Sequence, residues 1–439
     1  MRLIVWGLGY VGTVTAACFA KLGHQVIGIE PNQTKVDAIN AGKSAIIEPG
    51  LEALVKQVVD EGKFRADTDG LPYIHSAAIS LICVGTPSAA DGSTNLEYIH
   101  KVAATIGEGL RKAECYHVVA LRSTLFPNLI HQELIATLES HSGKVKGRDF
   151  GVVVNPEFLR ETTAISDFFS PPYTVIGQLD ERSGNSMEEL YQGIEAPIHH
   201  VSLDEGAMLK MVNNAFHALK IGFANEVGRV CDALGIDSHI VMKMVCADTK
   251  LNISPAYLKP GFAFGGSCLP KDLRSLTTNA RRLQVELPIL EAVLPSNYLQ
   301  VEAARIKIHA LGAKHVGVLG LSFKPGTDDL RESPVINLIR ALWHDDINVM
   351  VYDPDVKLER MLGSNVAYLE RQLPQIQRIM CADVENAIAH ADVVLVSQKR
   401  AEFVEALHLV PPHCTVIDLV RLDDSGKLPA LERYQGLSW

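Results

Sequence analysis

At 439 residues the chain is too long for a single small binding module, and at roughly 100 to 200 residues per domain it holds about two to four domains. Hydrophobic residues make up 47% and charged residues 21%, which excludes long disorder and supplies several buried cores. Asp plus Glu at 51 against Lys plus Arg at 41 gives a net charge of -10, which argues against nucleic-acid and anionic-membrane partners and demands a local basic pocket for any anionic ligand.

The first 200 residues alternate short aliphatic runs with longer helical patterns, the rhythm of a parallel sheet with crossover helices. Predicted strands are Leu3 to Trp6, Gln25 to Ile29, Ile79 to Val84, His117 to Arg122 and Gly151 to Val154. The uncharged stretch from residue 3 to 20 also has the look of a signal peptide, but its glycines and the strand-like segment after it suit the first unit of a folded domain. Eight scattered cysteines, none in a CxxC pair, suggest neither a disulfide framework nor a metal cage, and point to the cytoplasm. No other stretch reads as a membrane span. From about Asp204 to Leu234 the pattern becomes one long helix, with further helical segments to about residue 295. From Lys314 the alternation resumes, with strands at His315 to Leu319, Asn348 to Tyr352, Asp392 to Ser397 and Thr415 to Leu419. The expected fold class is therefore α/β, with two Rossmann-like doubly wound domains (residues 1–202 and 299–439) joined by a central helical domain (203–298).

Gly7-Leu8-Gly9-Tyr10-Val11-Gly12 fits GxGxxG after a strand and before a helix, and Glu30 ends the next strand. Gly7 and Gly9 permit a tight turn and close backbone approach to a pyrophosphate, and Gly12 lets helix and strand pack. Glu30 would accept hydrogen bonds from the adenosine ribose hydroxyls and repel a 2'-phosphate, which favours NAD over NADP. Lys35 lies either near the adenosine or on a solvated helix face, and Thr86 and Thr124 each follow a strand and would line the cofactor crevice.

The loop from Lys259 to Asp272 is rich in Gly and Pro and holds Cys268 beside Lys271 and Asp272. A nearby ammonium favours the thiolate, the nucleophilic form. In the long helix, Lys210, Asn214, His217, Ile221 and Asn225 share an arc of about 80° at roughly 100° per residue, a polar stripe suited to an active-site face as well as to an amphipathic surface. Asn155-Pro156-Glu157-Phe158-Leu159-Arg160-Glu161 follows a strand end and sets two carboxylates four residues apart, a pairing for proton handling or an ordinary charged helix start. Lys324 and Arg331 sit in a loop before a helix, where they could hold phosphate. A dinucleotide site together with a nucleophilic thiol permits a four-electron oxidation of an alcohol to a carboxylate through a thioester.

At these motifs the chain resembles the UDP-glucose/GDP-mannose dehydrogenase family. The pattern is matched by GLGYVG, CVGTP at 83–87, RST at 122–124, NPEFLRE, the Lys210 helix, FGGSCLPKD and FKPGTDDLRESP. The resemblance implies an NAD domain, a central domain forming a homodimer with shared sites, and a C-terminal nucleotide-sugar domain. It implies Cys268 as the nucleophile, with Lys210 and Asn214 stabilising oxyanions and Asp272 orienting a water or Lys210. Glu161 and Glu157 would assist proton transfer and thioester hydrolysis, with Thr124 near water and cofactor. Tyr10, Val11, Glu30, Lys35, Thr86, Lys271 and Lys324 or Arg331 would meet NAD or the phosphates. Phe216-His217, Phe223-Ala224-Asn225-Glu226, Glu161-Thr162-Thr163-Ala164 and Lys250-Leu251-Asn252 resemble the GDP-mannose branch, so the expected reaction is oxidation of GDP-mannose to GDP-mannuronate, with UDP-glucose as the alternative. His217, Asn225, Tyr257, Lys259, Phe262 and Gly265 match that branch's substrate positions, alongside Glu161, Lys210, Asn214 and Lys324. Ala256 stands where a second tyrosine is expected, and Lys259 replaces an arginine, keeping the charge but losing the bidentate fork. Two other readings are a catalytically silent nucleotide-sugar sensor and a two-electron dehydrogenase that uses Lys210 without the thiol.

Overall fold

A computed structural model describes residues 1–44, 46–87, 94–258, 260–266, 268–326, 330–356, 371–422 and 433–438. The chain separates into two compact units, Met1–Ala218 and Leu219–Trp439, and the boundary falls inside the helix Leu203–Ala233.

In the first unit, β1 (Arg2–Trp6), β2 (Gln25–Ile29), β3 (Phe64–Asp67), β4 (Ile79–Ile82), β5 (His117–Leu121), β6 (Phe150–Val154), β7 (Thr174–Gln178) and β8 (Ile198–Ser202) form one sheet. Their order is β3-β2-β1-β4-β5-β6-β7-β8, and every neighbour pair is parallel except β6 with β7. Strand order reverses between β1 and β4, so the carboxyl ends of these strands open the crevice where such sheets bind ligands. Helices cover both faces, which is why β4, β5 and β6 are buried throughout and read as unbroken aliphatic runs. The helix Tyr10–Lys21 is buried from Gly12 to Ala20, which accounts for the uncharged start of the chain. On its buried face Phe19 meets Phe168 and Tyr191 edge-on, with ring centroids 5.0 and 5.3 Å apart.

His117 is buried in this sheet, its Nδ1 2.9 Å from the Ala77 carbonyl and its Nε2 2.9 Å from the Ser80 hydroxyl. Burial pushes its pKa down to about 4, so it is a neutral core histidine.

In the second unit, β9 (His315–Leu319), β10 (Asn348–Tyr352), β11 (Val393–Val396), β12 (Thr415–Asp418) and β13 (Tyr434–Gly436) form a parallel sheet in the order β10-β9-β11-β12-β13. Before it come the helices Ser238–Ala247, Leu269–Arg282 and Pro288–Ala310. The last of these continues through Pro295 to Ala310, beyond the helical end expected near residue 295. Val230, Ala280, Leu287 and Leu290 make a small apolar cluster among these helices. Beside it the buried Glu226 accepts the Ile289 and Leu290 N–H groups at 2.8 and 3.0 Å, satisfying free donors at the start of Pro288–Ala310. The expected class therefore holds: two α/β units with a central helical region.

Candidate functional site

The glycine turn is built by close approach. Gly7 has φ +91, and a Cβ on Gly12 would stand 1.8 Å from the Gly7 carbonyl oxygen, so no side chain fits there. A Cβ on Gly9 would meet nothing within 4 Å, which leaves open space over the turn. Gly9 precedes the helix Tyr10–Lys21 without a capping side chain, so the first N–H groups of the helix face that space. At the end of β2, Glu30 receives the Leu8 N–H at 3.2 Å and the Asn32 N–H at 3.3 Å. Lys35 turns back to Glu30, with Nζ 3.7 Å from Oε2. The turn thus fits a dinucleotide: room above Gly9, free N–H donors for a pyrophosphate and an acidic acceptor for the ribose. Thr86 and Thr124 are half-buried in the loops after β4 and β5, and the Ser123 hydroxyl ties these loops together by donating to the Val84 carbonyl at 2.6 Å.

Beyond β6 the chain does not start a helix. Residues 155–160 run as irregular backbone, followed by a turn and the helix Ala164–Phe169. Asn155 is fully buried, where it bonds to Arg122 and accepts the Tyr191 hydroxyl at 2.7 Å; Arg122 also donates to that hydroxyl at 2.8 Å. This network fixes the base of the segment and frees Glu157 to point elsewhere. Lys210 Nζ donates to the Glu157 carbonyl at 2.5 Å and to Glu157 Oε1 at 2.9 Å, and it lies 5.6 Å from the centre of the Phe158 ring. Both side chains are largely shielded, with exposures of 13% and 11%. Arg122, Glu157, Tyr173, Asn213 and His217 line a cavity of about 390 Å³ in this unit. Asn214 and Glu161 are exposed, the latter in the turn that follows Arg160. No motif in the sequence marks Glu48, yet its buried carboxylate receives the Tyr10 hydroxyl at 2.6 Å, the Thr162 N–H at 2.8 Å and the Ala164 N–H at 2.9 Å. Burial works against that charge, but these three donors outweigh it and hold the carboxyl below the usual range; burial and the same bond push the Tyr10 hydroxyl up.

The thiol loop belongs to the second unit. Cys268 is exposed and immediately precedes the helix Leu269–Arg282, with its carbonyl accepting the Asp272 N–H at 2.9 Å. A negative charge on its sulfur would lie at the positive end of that helix. Gly266 adopts φ +88 and a Cβ there would meet the Phe323 ring at 3.1 Å, while one on Gly265 would stand 2.3 Å from the Glu332 carbonyl oxygen. Asn297 clamps Phe264 on both backbone groups at 2.8 and 2.9 Å, and Phe262 packs on the core of the C-terminal sheet. Arg274 pairs with Glu332 at 2.7 Å. The thiol loop and the segment that carries Lys324 and Arg331 are thereby packed together, and both of these cations are exposed. Lys271 pairs with Asp272 at 3.4 Å on the surface. Asn225 is exposed, and Tyr257 is 85% exposed with φ +63. Lys259 lies outside the described residues.

Three domain models of one family match the chain: the NAD binding domain over residues 1–195, the central domain over 204–298 and the UDP binding domain over 317–423. The chain belongs to the UDP-glucose/GDP-mannose dehydrogenase family. It is an NAD-dependent nucleotide-sugar dehydrogenase. Over 439 residues and the full length of both chains it is 44% identical to the GDP-mannose 6-dehydrogenase of Pseudomonas putida. It is 36% identical over 411 residues, 92% of each chain, to a UDP-glucose 6-dehydrogenase of Haloferax volcanii. Among solved structures, a ternary complex of GDP-mannose dehydrogenase from Pseudomonas aeruginosa matches all of both chains with TM-score 0.95 and 42% identity. Among the described residues no helix is long and apolar enough to cross a membrane.

Proposed function

We propose that this enzyme oxidises the sugar 6-hydroxyl of GDP-mannose through two two-electron steps to GDP-mannuronate, with the carbon held on Cys268 between them. The observation that carries the substrate is the 44% identity along the whole chain to a GDP-mannose 6-dehydrogenase, against 36% for the UDP-glucose enzyme. NAD, which Gly7, Gly9, Gly12 and Glu30 would hold at the glycine turn, would supply the hydride acceptor, one NAD for each of the two oxidations. The alcohol first loses a hydride and a proton to give the aldehyde. The Cys268 thiolate adds to that carbonyl, and the resulting thiohemiacetal loses a second hydride and its hydroxyl proton to become a thioester. Water opens the thioester, which releases the carboxylate and returns the thiol.

In this reading the ammonium of Lys210 and the amide of Asn214 stabilise the oxyanions, and Glu157 and Glu161 take up protons and direct water, with Thr124 beside them. Asp272 orients the water or Lys210. The Lys210 bond to Glu157 supports the pairing, because a shielded ammonium held by one carboxylate is already oriented before substrate arrives. His217, Asn225, Tyr257, Phe262, Gly265, Lys259 and Lys324 recognise the nucleotide sugar, and Arg331 and Lys271 meet phosphate. A UDP-sugar is the second reading, favoured by Ala256 and Lys259 departing from the GDP-mannose pattern. Initial rates with each sugar nucleotide decide between them: kcat/KM for GDP-mannose is expected to exceed that for UDP-glucose by about tenfold or more, and the reverse order moves the substrate to UDP-glucose.

The same reading includes a homodimer. Ile240 and Met244, four residues apart on one face of the helix Ser238–Ala247, are 61% and 59% exposed, an apolar face that a second copy would cover. Sedimentation velocity is expected to give a dimer at micromolar concentration; a monomer throughout contradicts the assembly.

A further inference from the structure

A buried carboxylate, that of Glu48, ties two site segments together and stands outside every catalytic motif. Its Oε2 takes the Tyr10 hydroxyl at 2.6 Å and the Thr162 N–H at 2.8 Å, and its Oε1 takes the Ala164 N–H at 2.9 Å. Tyr10 opens the helix behind the glycine turn, and its hydroxyl also reaches the Arg160 carbonyl at 3.4 Å. Thr162 directly follows Glu161 and has φ +74, the left-handed region that a β-branched residue rarely adopts. Ordinary capping of the helix Ala164–Phe169 explains only the Ala164 bond. It explains neither the reach to Tyr10 nor the acceptor placed under the strained Thr162 amide.

We propose that Glu48 is a positioning residue that locks the Glu161 turn to the glycine turn, holding Thr162 in its left-handed conformation and Tyr10 against the Arg160 carbonyl. The idea rests on the reading of Glu161 as a proton-handling residue. A glutamine at position 48 keeps one acceptor oxygen but turns an NH2 toward one of the two peptide N–H donors, so the turn loses an anchor. Aspartate keeps both oxygens and sets them back by one methylene. A glycine at position 162 removes the reason for the anchor, since glycine adopts positive φ without strain.

The test uses full-length Glu48→Gln, Glu48→Asp, Glu48→Gln/Thr162→Gly, Tyr10→Phe and Glu161→Gln. It reads kcat, KM for NAD and amide hydrogen exchange of residues 157–164 in the absence of cofactor. Glu48→Gln is expected to lower kcat by about tenfold or more with KM for NAD within about threefold, and to speed exchange at Thr162 or Ala164, whichever amide faces the NH2. Glu48→Asp is expected to recover part of kcat, and the Thr162→Gly partner most of it. Should Glu48→Gln fail to fold, Tyr10→Phe removes one bond and leaves both amide anchors; a smaller fall in kcat with Thr162 still protected is then expected. Wild-type exchange at Thr162 and Ala164 in Glu48→Gln overturns the tether, as does no recovery from Thr162→Gly, or wild-type kcat in Tyr10→Phe. Glu161→Gln separates the two ideas: wild-type kcat there removes the role of Glu161, whereas the exchange data judge the tether by itself.

Discussion

Replacing Cys268 with serine is expected to lower production of the uronate by on the order of 10³-fold or more. A hydroxyl at this position is essentially un-ionised near neutral pH, and it adds poorly to an aldehyde without a dedicated base. The substitution isolates chemistry from folding. Position 268 precedes the helix Leu269–Arg282, and serine is among the residues most favoured at a helix start, so the variant is expected to melt at or above the wild-type temperature. Gly265 and Gly266 fit under Glu332 and Phe323, and Asn297 clamps Phe264, contacts that the substitution leaves in place. Rates of NADH formation beside a thermal melt check this. Full turnover in a folded Cys268→Ser enzyme would leave the two-electron dehydrogenase that works through Lys210.

Removing the ammonium of Lys210 is expected to cost on the order of 10² to 10³ in kcat, the range for losing one preorganised donor to an oxyanion. The same change disturbs the fold. Glu157 is 11% exposed at its side chain and has Lys210 as its ion-pair partner, so Lys210→Met leaves a shielded carboxylate with the Leu159 N–H at 2.7 Å but without that counter-charge, and is expected to destabilise by about 3 kcal/mol. Denaturant unfolding separates the two effects. In Lys210→Met/Glu157→Gln the stranded charge is gone, and most of the stability is expected to return while kcat stays low. Recovery of kcat along with stability would make the pair structural and remove Lys210 from the chemistry.

The glycine turn, the thiol loop and the strands at the centre of each sheet were legible because each rests on local rules. A turn needing Gly7 and Gly12, and aliphatic runs buried on both faces, leave marks within a few residues. β3, β7, β8 and β13 are not among the predicted strands, although the edge strand β10 is. β3 reads Phe-Arg-Ala-Asp and β8 reads Ile-His-His-Val-Ser, mixed sequences that suit strands with one neighbour and partial exposure. β13 has three residues, too few to show a period. For the segment from Asn155 to Glu161 a charged helix start stands beside the proton-handling reading; its backbone is irregular, anchored at its base by the buried bonds of Asn155 to Arg122 and Tyr191. Those partners are 33 and 36 residues away, and Glu48 reaches Thr162 across 114. Side-chain contacts at such separations leave no local period or spacing, so the tether beneath Glu161 emerged only in three dimensions.

The most direct test of the central claim counts NADH released per molecule of limiting GDP-mannose and identifies the product. About two NADH per sugar with GDP-mannuronate as the product is the expected result, since the aldehyde stays bound to Cys268 between the oxidations. One NADH per sugar, with free aldehyde captured by a hydrazine reagent, would contradict the covalent four-electron account.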